Sequence, residues 1–121
     1  MYELKIKDMF SAAHNLRNFK GKCEHIHGHN YTVEVSFISK NTDKNGLVLD
    51  FAVLKEKLKK ILDLLDHKYL NEDITFFKKN NTSAENIARF IFKSLNEEIK
   101  HPKLKSVTVY ETENSIVIYS E

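Results

Sequence analysis

Apolar and charged residues alternate from the start of the chain. Tyr2, Leu4 and Ile6 are separated by Glu3, Lys5 and Lys7, the period of two that a strand with one covered face requires. This strand runs towards FSAAH at 10–14 and leaves His14 at or just beyond its end. After a polar connection over 15–24 the alternation resumes in NYTVEVSFIS, where Tyr31, Val33, Val35 and Phe37 share a face opposite Thr32, Glu34 and Ser36. His27 and His29 have the parity of that apolar face, so an extended backbone points both imidazoles the same way. Turn residues NTDKNG at 41–46 lead through LVLD to Asp50, an N-cap candidate. The period then changes: Phe51, Leu54, Leu58, Ile61, Leu62 and Leu65 predict a helix over about 51–65. LDHKYLNED breaks it, with Asp66 and His67 at its exit. A second helix is expected from Thr82 or Ser83, where Thr82 with Glu85 matches a capping box; Ala84, Ile87, Ala88, Ile91, Leu95 and Ile99 form its stripe, and Pro102 follows its end. Residues 104–112 and 115–120 around TENS read as a closing hairpin.

The element order is ββααββ. Strands at both ends and helices grouped between them predict an α+β domain with two helices packed on one face of an antiparallel sheet. With 121 residues, 41% of them apolar, the chain suits one domain spanning 1–121. Nineteen Lys and Arg against 17 Asp and Glu give a formal charge of +2, without the clustered excess that a nucleic-acid partner would need. KEKLKK and FKKN read as solvated surface, although a local basic rim could still attract an anionic substrate. One cysteine excludes an internal disulfide, and MYELKIKDMF carries no apolar signal core. No stretch approaches the roughly 18 apolar residues of a membrane span. A soluble, cytoplasmic protein is expected.

CEHIHGHN, residues 23–30, concentrates candidate chemistry. Catalytic zinc takes three protein ligands and keeps one position open, and His14, His27 and His29 can supply such a set. Taken singly, each histidine reads as ordinary surface or core, and cysteine as a small buried hydrophobe. Cys23 with the three histidines could also close a structural tetrahedral site; left off the metal, its thiolate would be favoured near a dication and could act as base or nucleophile. Spacing alone leaves both open. Asp66 and His67 form a second candidate, a carboxylate orienting an imidazole, with a helix end as the ordinary alternative. Glu111 shares parity with Val107 and Val109, so it points towards a covered face and needs partners: a lysine, or a ligand with an amino-imino edge.

Taken in order, FSAAH, CEHIHGHNY, GLVLDF (46–51), LDHKYLN (65–71), SAENIA (83–88) and VYET (109–112) resemble the 6-pyruvoyl-tetrahydropterin synthase family over nearly the whole chain. The resemblance implies the tunnelling fold (T-fold) and a homo-oligomer, commonly a hexamer built as a dimer of trimers, with active sites between subunits. It implies that His14, His27 and His29 bind Zn2+, that Cys23 is the catalytic acid/base, that Asp66 and His67 complete a proton relay, and that Glu111 joins this catalytic set as the pterin anchor. The C-x3-H-x-H spacing is similar to the bacterial carboxy branch, whose lyase reaction takes 7,8-dihydroneopterin triphosphate to 6-carboxy-5,6,7,8-tetrahydropterin with release of acetaldehyde and triphosphate, towards queuosine. The pyruvoyl branch, folate-branch aldolase activity and a non-catalytic zinc-stabilised pterin-binding module are the alternatives. NNTSAEN departs from the family's Asn-Pro-Thr: Thr82 stands at the Pro position, while Ser83 keeps the hydroxyl for a substrate contact. His25 and Glu24 are additional groups beside Cys23.

Overall fold

The computed structural model describes residues 1–121, the side chain of Cys23 excepted. Alternation in the first segment becomes β1 (Tyr2–His14), and the second becomes β2 (His27–Ser39), which already includes both candidate ligands. The two pair antiparallel, with Tyr2 opposite Ser39 at one end and His14 opposite His27 at the other. Helix α1 spans Phe51–Leu62 and is capped as expected, Asp50 Oδ1 accepting from the Ala52 N–H at 2.8 Å. Helix α4 (Ala84–Glu98) and the hairpin of β4 (Lys103–Thr112) and β5 (Ser115–Tyr119) follow. Helix α1 lies against β1, and α4 against β4 and β5, all on one face of the sheet. Between helices and sheet, Leu54, Leu58, Ile87, Ile91 and Leu95 meet Tyr31, Val33, Val35, Phe37, Val107 and Val109 in a single core. Burial of this kind is worth about 1.5–3 kcal/mol per large side chain, which is why the pattern dictates the layers.

Four expectations are corrected. The first helix stops at Leu62, three residues short of 65, because the chain must turn: the N–H groups of Leu65 and Asp66 both reach the Leu62 carbonyl at 2.9 Å, and His67 takes a left-handed φ of 58°. Leu65 remains fully buried, so its place in the apolar stripe reflected the core rather than the helix. The breaking segment is structured: Lys68–Tyr69 form β3, followed by the short helices α2 (Leu70–Asp73) and α3 (Thr75–Lys79), giving four helices rather than two. Strand β3 pairs parallel with Ala12 and Ala13 of β1, so the five-stranded sheet, in order β3-β1-β2-β4-β5, is mixed and not purely antiparallel. Finally, Ser83 and not Thr82 caps α4, its hydroxyl accepting from the Asn86 N–H at 3.2 Å, while the fully buried Thr82 hydroxyl donates elsewhere.

Irregularities in β4 aim one side chain. Phe37 pairs with Leu104 but Ser36 with Ser106, so β4 carries one extra residue there. Its inward positions consequently change from even, at Leu104, to odd, at Val107 and Val109. A second shift against β5, where Tyr110 pairs with Ile116 and Thr112 with Ser115, leaves Glu111 as the unpaired residue.

Candidate metal centre and active site

Strand register assembles the histidines. His14 lies opposite His27, and two positions along the same face His29 lies opposite Ala12, whose methyl leaves room for the ring. The metal-binding nitrogens of the three rings fall within 4.8 Å of one another, the cluster of such groups found among the described residues. His14 Nδ1 lies 2.7 Å from the Thr82 carbonyl, and His27 Nδ1 lies 2.7 Å from the His25 carbonyl. A carbonyl only accepts, so both Nδ1 atoms carry the proton and both Nε2 atoms present lone pairs. Those two Nε2 atoms face each other at 3.0 Å. His29 Nε2 is buried without a hydrogen-bond partner among the described residues, 3.8 Å from Glu111 Oε1. Three convergent imidazole nitrogens, two with tautomers fixed by backbone carbonyls and one lacking a partner among the described residues, match the donor set of a metal ion. Burial is the main cause holding His14 below the ordinary imidazole value of 6.5, which keeps it neutral and able to ligate.

Glu111 reaches this cluster because of the bulges described above. Continuing the pairing of Thr32 with Tyr110 sets Glu111 across from Tyr31 and diagonal to His29. With Ser83, Ala84, Leu16 and Val117 it lines a cavity of about 410 Å³. Tyr31 is fully buried, stacked on Phe10 at 4.7 Å, and its hydroxyl has no partner among the described residues. Burial, reinforced by the Glu111 charge, raises its pKa, so the hydroxyl remains a proton donor.

Asp66 and His67 stand apart from the triad. Asp66 Oδ1 accepts from the Ser11 N–H at 2.8 Å, its Oδ2 accepts from His67 Nδ1–H at 2.9 Å, and the His67 N–H donates to the Ser11 carbonyl at 2.6 Å. The Ser11 bond first, and His67 second, hold the Asp66 carboxyl below its usual value. The His67 side chain is 82% exposed and, with His29, Gly28, Asn30 and Tyr69, lines a cavity of about 460 Å³. The helix-end alternative does not describe this pair, whose carboxylate is tied to β1.

Cys23 belongs to a 3-10 turn, Lys22–Glu24, and its side chain lies outside the described residues. His25 is 79% exposed at the side chain, with Nε2 3.8 Å from Glu24 Oε1; its contribution is the carbonyl under His27. Residue type gives no signal of the Thr82 and His25 carbonyls, whereas Tyr31 could have been found from its parity with His27 and His29.

Comparison with known proteins gives the family. The family profile described as 6-pyruvoyl tetrahydropterin synthase matches residues 3–121. A putative 6-pyruvoyl tetrahydrobiopterin synthase of Caenorhabditis elegans is 36% identical, over 93% of this chain and 89% of its own. A Haemophilus influenzae 6-carboxy-5,6,7,8-tetrahydropterin synthase is 32% identical over the full length of both chains. The solved structure of the Caenorhabditis elegans 6-pyruvoyl tetrahydropterin synthase superposes with a TM-score of 0.92 at 34% identity, covering 99% of this chain and 95% of that one. The α+β architecture is thus that of a T-fold subunit, and the chain belongs to the 6-pyruvoyl tetrahydropterin synthase family of pterin lyases.

Proposed function

We propose that this chain is a zinc-dependent lyase that converts 7,8-dihydroneopterin triphosphate to 6-carboxy-5,6,7,8-tetrahydropterin, releasing acetaldehyde and triphosphate, on the route to queuosine. The observation that carries the metal reading is the buried, unpartnered His29 Nε2 beside two Nε2 lone pairs that face each other. Zinc held by His14, His27 and His29 supplies Lewis acidity towards the oxygens of the substrate side chain. Asp66 fixes His67 with its proton on Nδ1, so that Nε2 is free to take or return a proton. Glu111, with two carboxylate oxygens and no lysine partner among the described ion pairs, receives the amino-imino edge of the pterin, and Ser83 offers its hydroxyl proton in the same cavity. Cys23 acts as the second acid/base, a role that rests on its place four residues before His27 and on the family resemblance.

His67 is too exposed to enclose a substrate within one chain. The open edge of β1 before Ala12 and the outer edge of β5 suit continuation of the sheet. Both support a homohexamer, a dimer of trimers, with active sites between subunits, working in the cytoplasm. No helix is long and apolar enough to cross a membrane.

A second reading, 6-pyruvoyl-tetrahydropterin formation, is favoured by the eukaryotic relatives. The product separates them. Incubation of the zinc-loaded protein with dihydroneopterin triphosphate, followed by mass spectrometry, is expected to yield acetaldehyde and the carboxypterin; consumption of substrate without acetaldehyde would remove the carboxy assignment, and the mass of the pterin product would then tell pyruvoyl from folate-branch activity. Cys23→Ala is expected to keep stoichiometric zinc and lose turnover by about 10²- to 10⁴-fold. Loss of zinc in that variant would make Cys23 a ligand instead.

A further inference from the structure

His14 is held through a carbonyl that no regular element fixes. Thr82 lies in the irregular stretch between α3 and α4, so the direction of its carbonyl depends on side-chain contacts. The Thr82 N–H donates to Asn81 Oδ1 at 3.1 Å, and its side chain leads to Asn71. The Thr82 hydroxyl donates to the Asn15 carbonyl at 3.0 Å and to Asn71 Oδ1 at 3.2 Å. Asn71 Oδ1 also accepts from the Asn15 N–H at 3.0 Å, and Asn71 Nδ2 donates to the Asn15 carbonyl at 2.8 Å. One side-chain amide therefore pairs in both directions with the main chain of the residue after His14, where β1 ends, as a neighbouring strand would. It also holds the residue whose carbonyl receives the His14 ring.

We infer that Asn71 is a positioning residue for the metal centre: through Asn15 it fixes the backbone that carries His14, and through Thr82 the carbonyl that sets the orientation and tautomer of its ring. The metal half of this statement rests on the proposed function; the hold on His14 does not. Asn71 and Thr82 are both buried, and a buried amide is costly unless its bonds are made, so an apolar residue would serve a purely packing role at lower cost. Partners that orient a ligating histidine through its second nitrogen typically govern metal affinity by 10- to 100-fold. Asn71 also closes the segment that begins with Asp66 and docks along the end of β1: Asp66 and His67 on Ser11, Lys68 and Tyr69 beside Ala12 and Ala13, and the Tyr69 hydroxyl on Asn15 Oδ1 at 2.5 Å. The same six residues therefore frame the proton-moving pair and the deepest metal ligand.

The test uses the full chain with Asn71→Leu and Thr82→Val, the second retaining the carbonyl but not the hydroxyl, so that it still reports if the first fails to fold. Zn2+ affinity is measured by competition with a chromophoric chelator, and the His14 tautomer by long-range proton–nitrogen spectra of the metal-free protein. Expected are a 10- to 100-fold weaker zinc affinity and loss of the single Nδ1–H form of His14. A lower melting temperature with unchanged affinity and unchanged tautomer would overturn the inference and leave Asn71 a structural residue. A wild-type chain that holds the tautomer, loses it in the variants and binds no zinc would sink the metal reading while supporting the hold of Asn71 on His14.

Discussion

His14 and His67 use one device to different ends. Each donates its Nδ1 proton to an oxygen, the Thr82 carbonyl or the Asp66 carboxylate, and each thereby frees Nε2. His14 is 1% exposed and its Nε2 meets another imidazole, whereas the His67 side chain is 82% exposed and its Nε2 meets a cavity open to solvent. Burial disfavours protonation of His14, the Thr82 bond opposing it only in part, whereas His67 is paired with a carboxylate in place of a carbonyl. On the proposed reading, what faces the free nitrogen separates a ligand from a proton carrier. The three triad nitrogens come together within one chain, while the dyad is presented outward, to solvent.

This contrast can be broken from either side. The largest effect is expected for His14→Ala, which should abolish stoichiometric zinc retention after dialysis, read by elemental analysis, with turnover falling to background. Metal retained at full stoichiometry would deny His14 its place among the ligands. Asp66→Asn comes next: zinc content should be unchanged while kcat falls about 10²- to 10⁴-fold, because the amide no longer imposes the Nδ1–H form on His67. A parallel loss of zinc would erase the distinction between the two sites. The smallest effect concerns acid. Asp66 is held below its ordinary value of 3.8, so the stabilisation it gives to the Ser11 contact is fully present above that value and is lost as pH falls through the lower value of the folded chain. The protection of the Ser11 amide, measured against the intrinsic exchange rate at each pH, should therefore fall only below pH 3.8; loss of protection near neutrality would place its control elsewhere.

Much of this arrangement was legible because strand parity is a strict rule. Alternation placed His27, His29 and Tyr31 on the core face before any register was known, and the antiparallel pairing with β1 then brought His14 opposite His27. The same rule aimed Glu111 inward. What escaped the sequence has no periodic signature: β3 is two residues long, α2 and α3 are four and five, and β3 and α2 exist because they dock on β1, with α3 packed on α2, rather than because of their own pattern. Thr82 looked like a cap, yet its hydroxyl serves residues 11 and 67 positions away in sequence, a choice set by tertiary contact. Backbone carbonyls that orient rings are equally silent, since every residue has one.

The extra residue in β4 between Leu104 and Ser106 lets Leu104 and Val107, three positions apart, face the same way. Deletion of Lys105 would remove the bulge and leave Val107, Val109 and Glu111 on the inner face, whereas deletion of Thr108, beyond it, would turn Glu111 to the opposite side of the sheet. Length between the bulge and Glu111, more than composition, is therefore what keeps a carboxylate beside the histidines. A one-residue gap there would leave the three histidines together and turn the acid away from them.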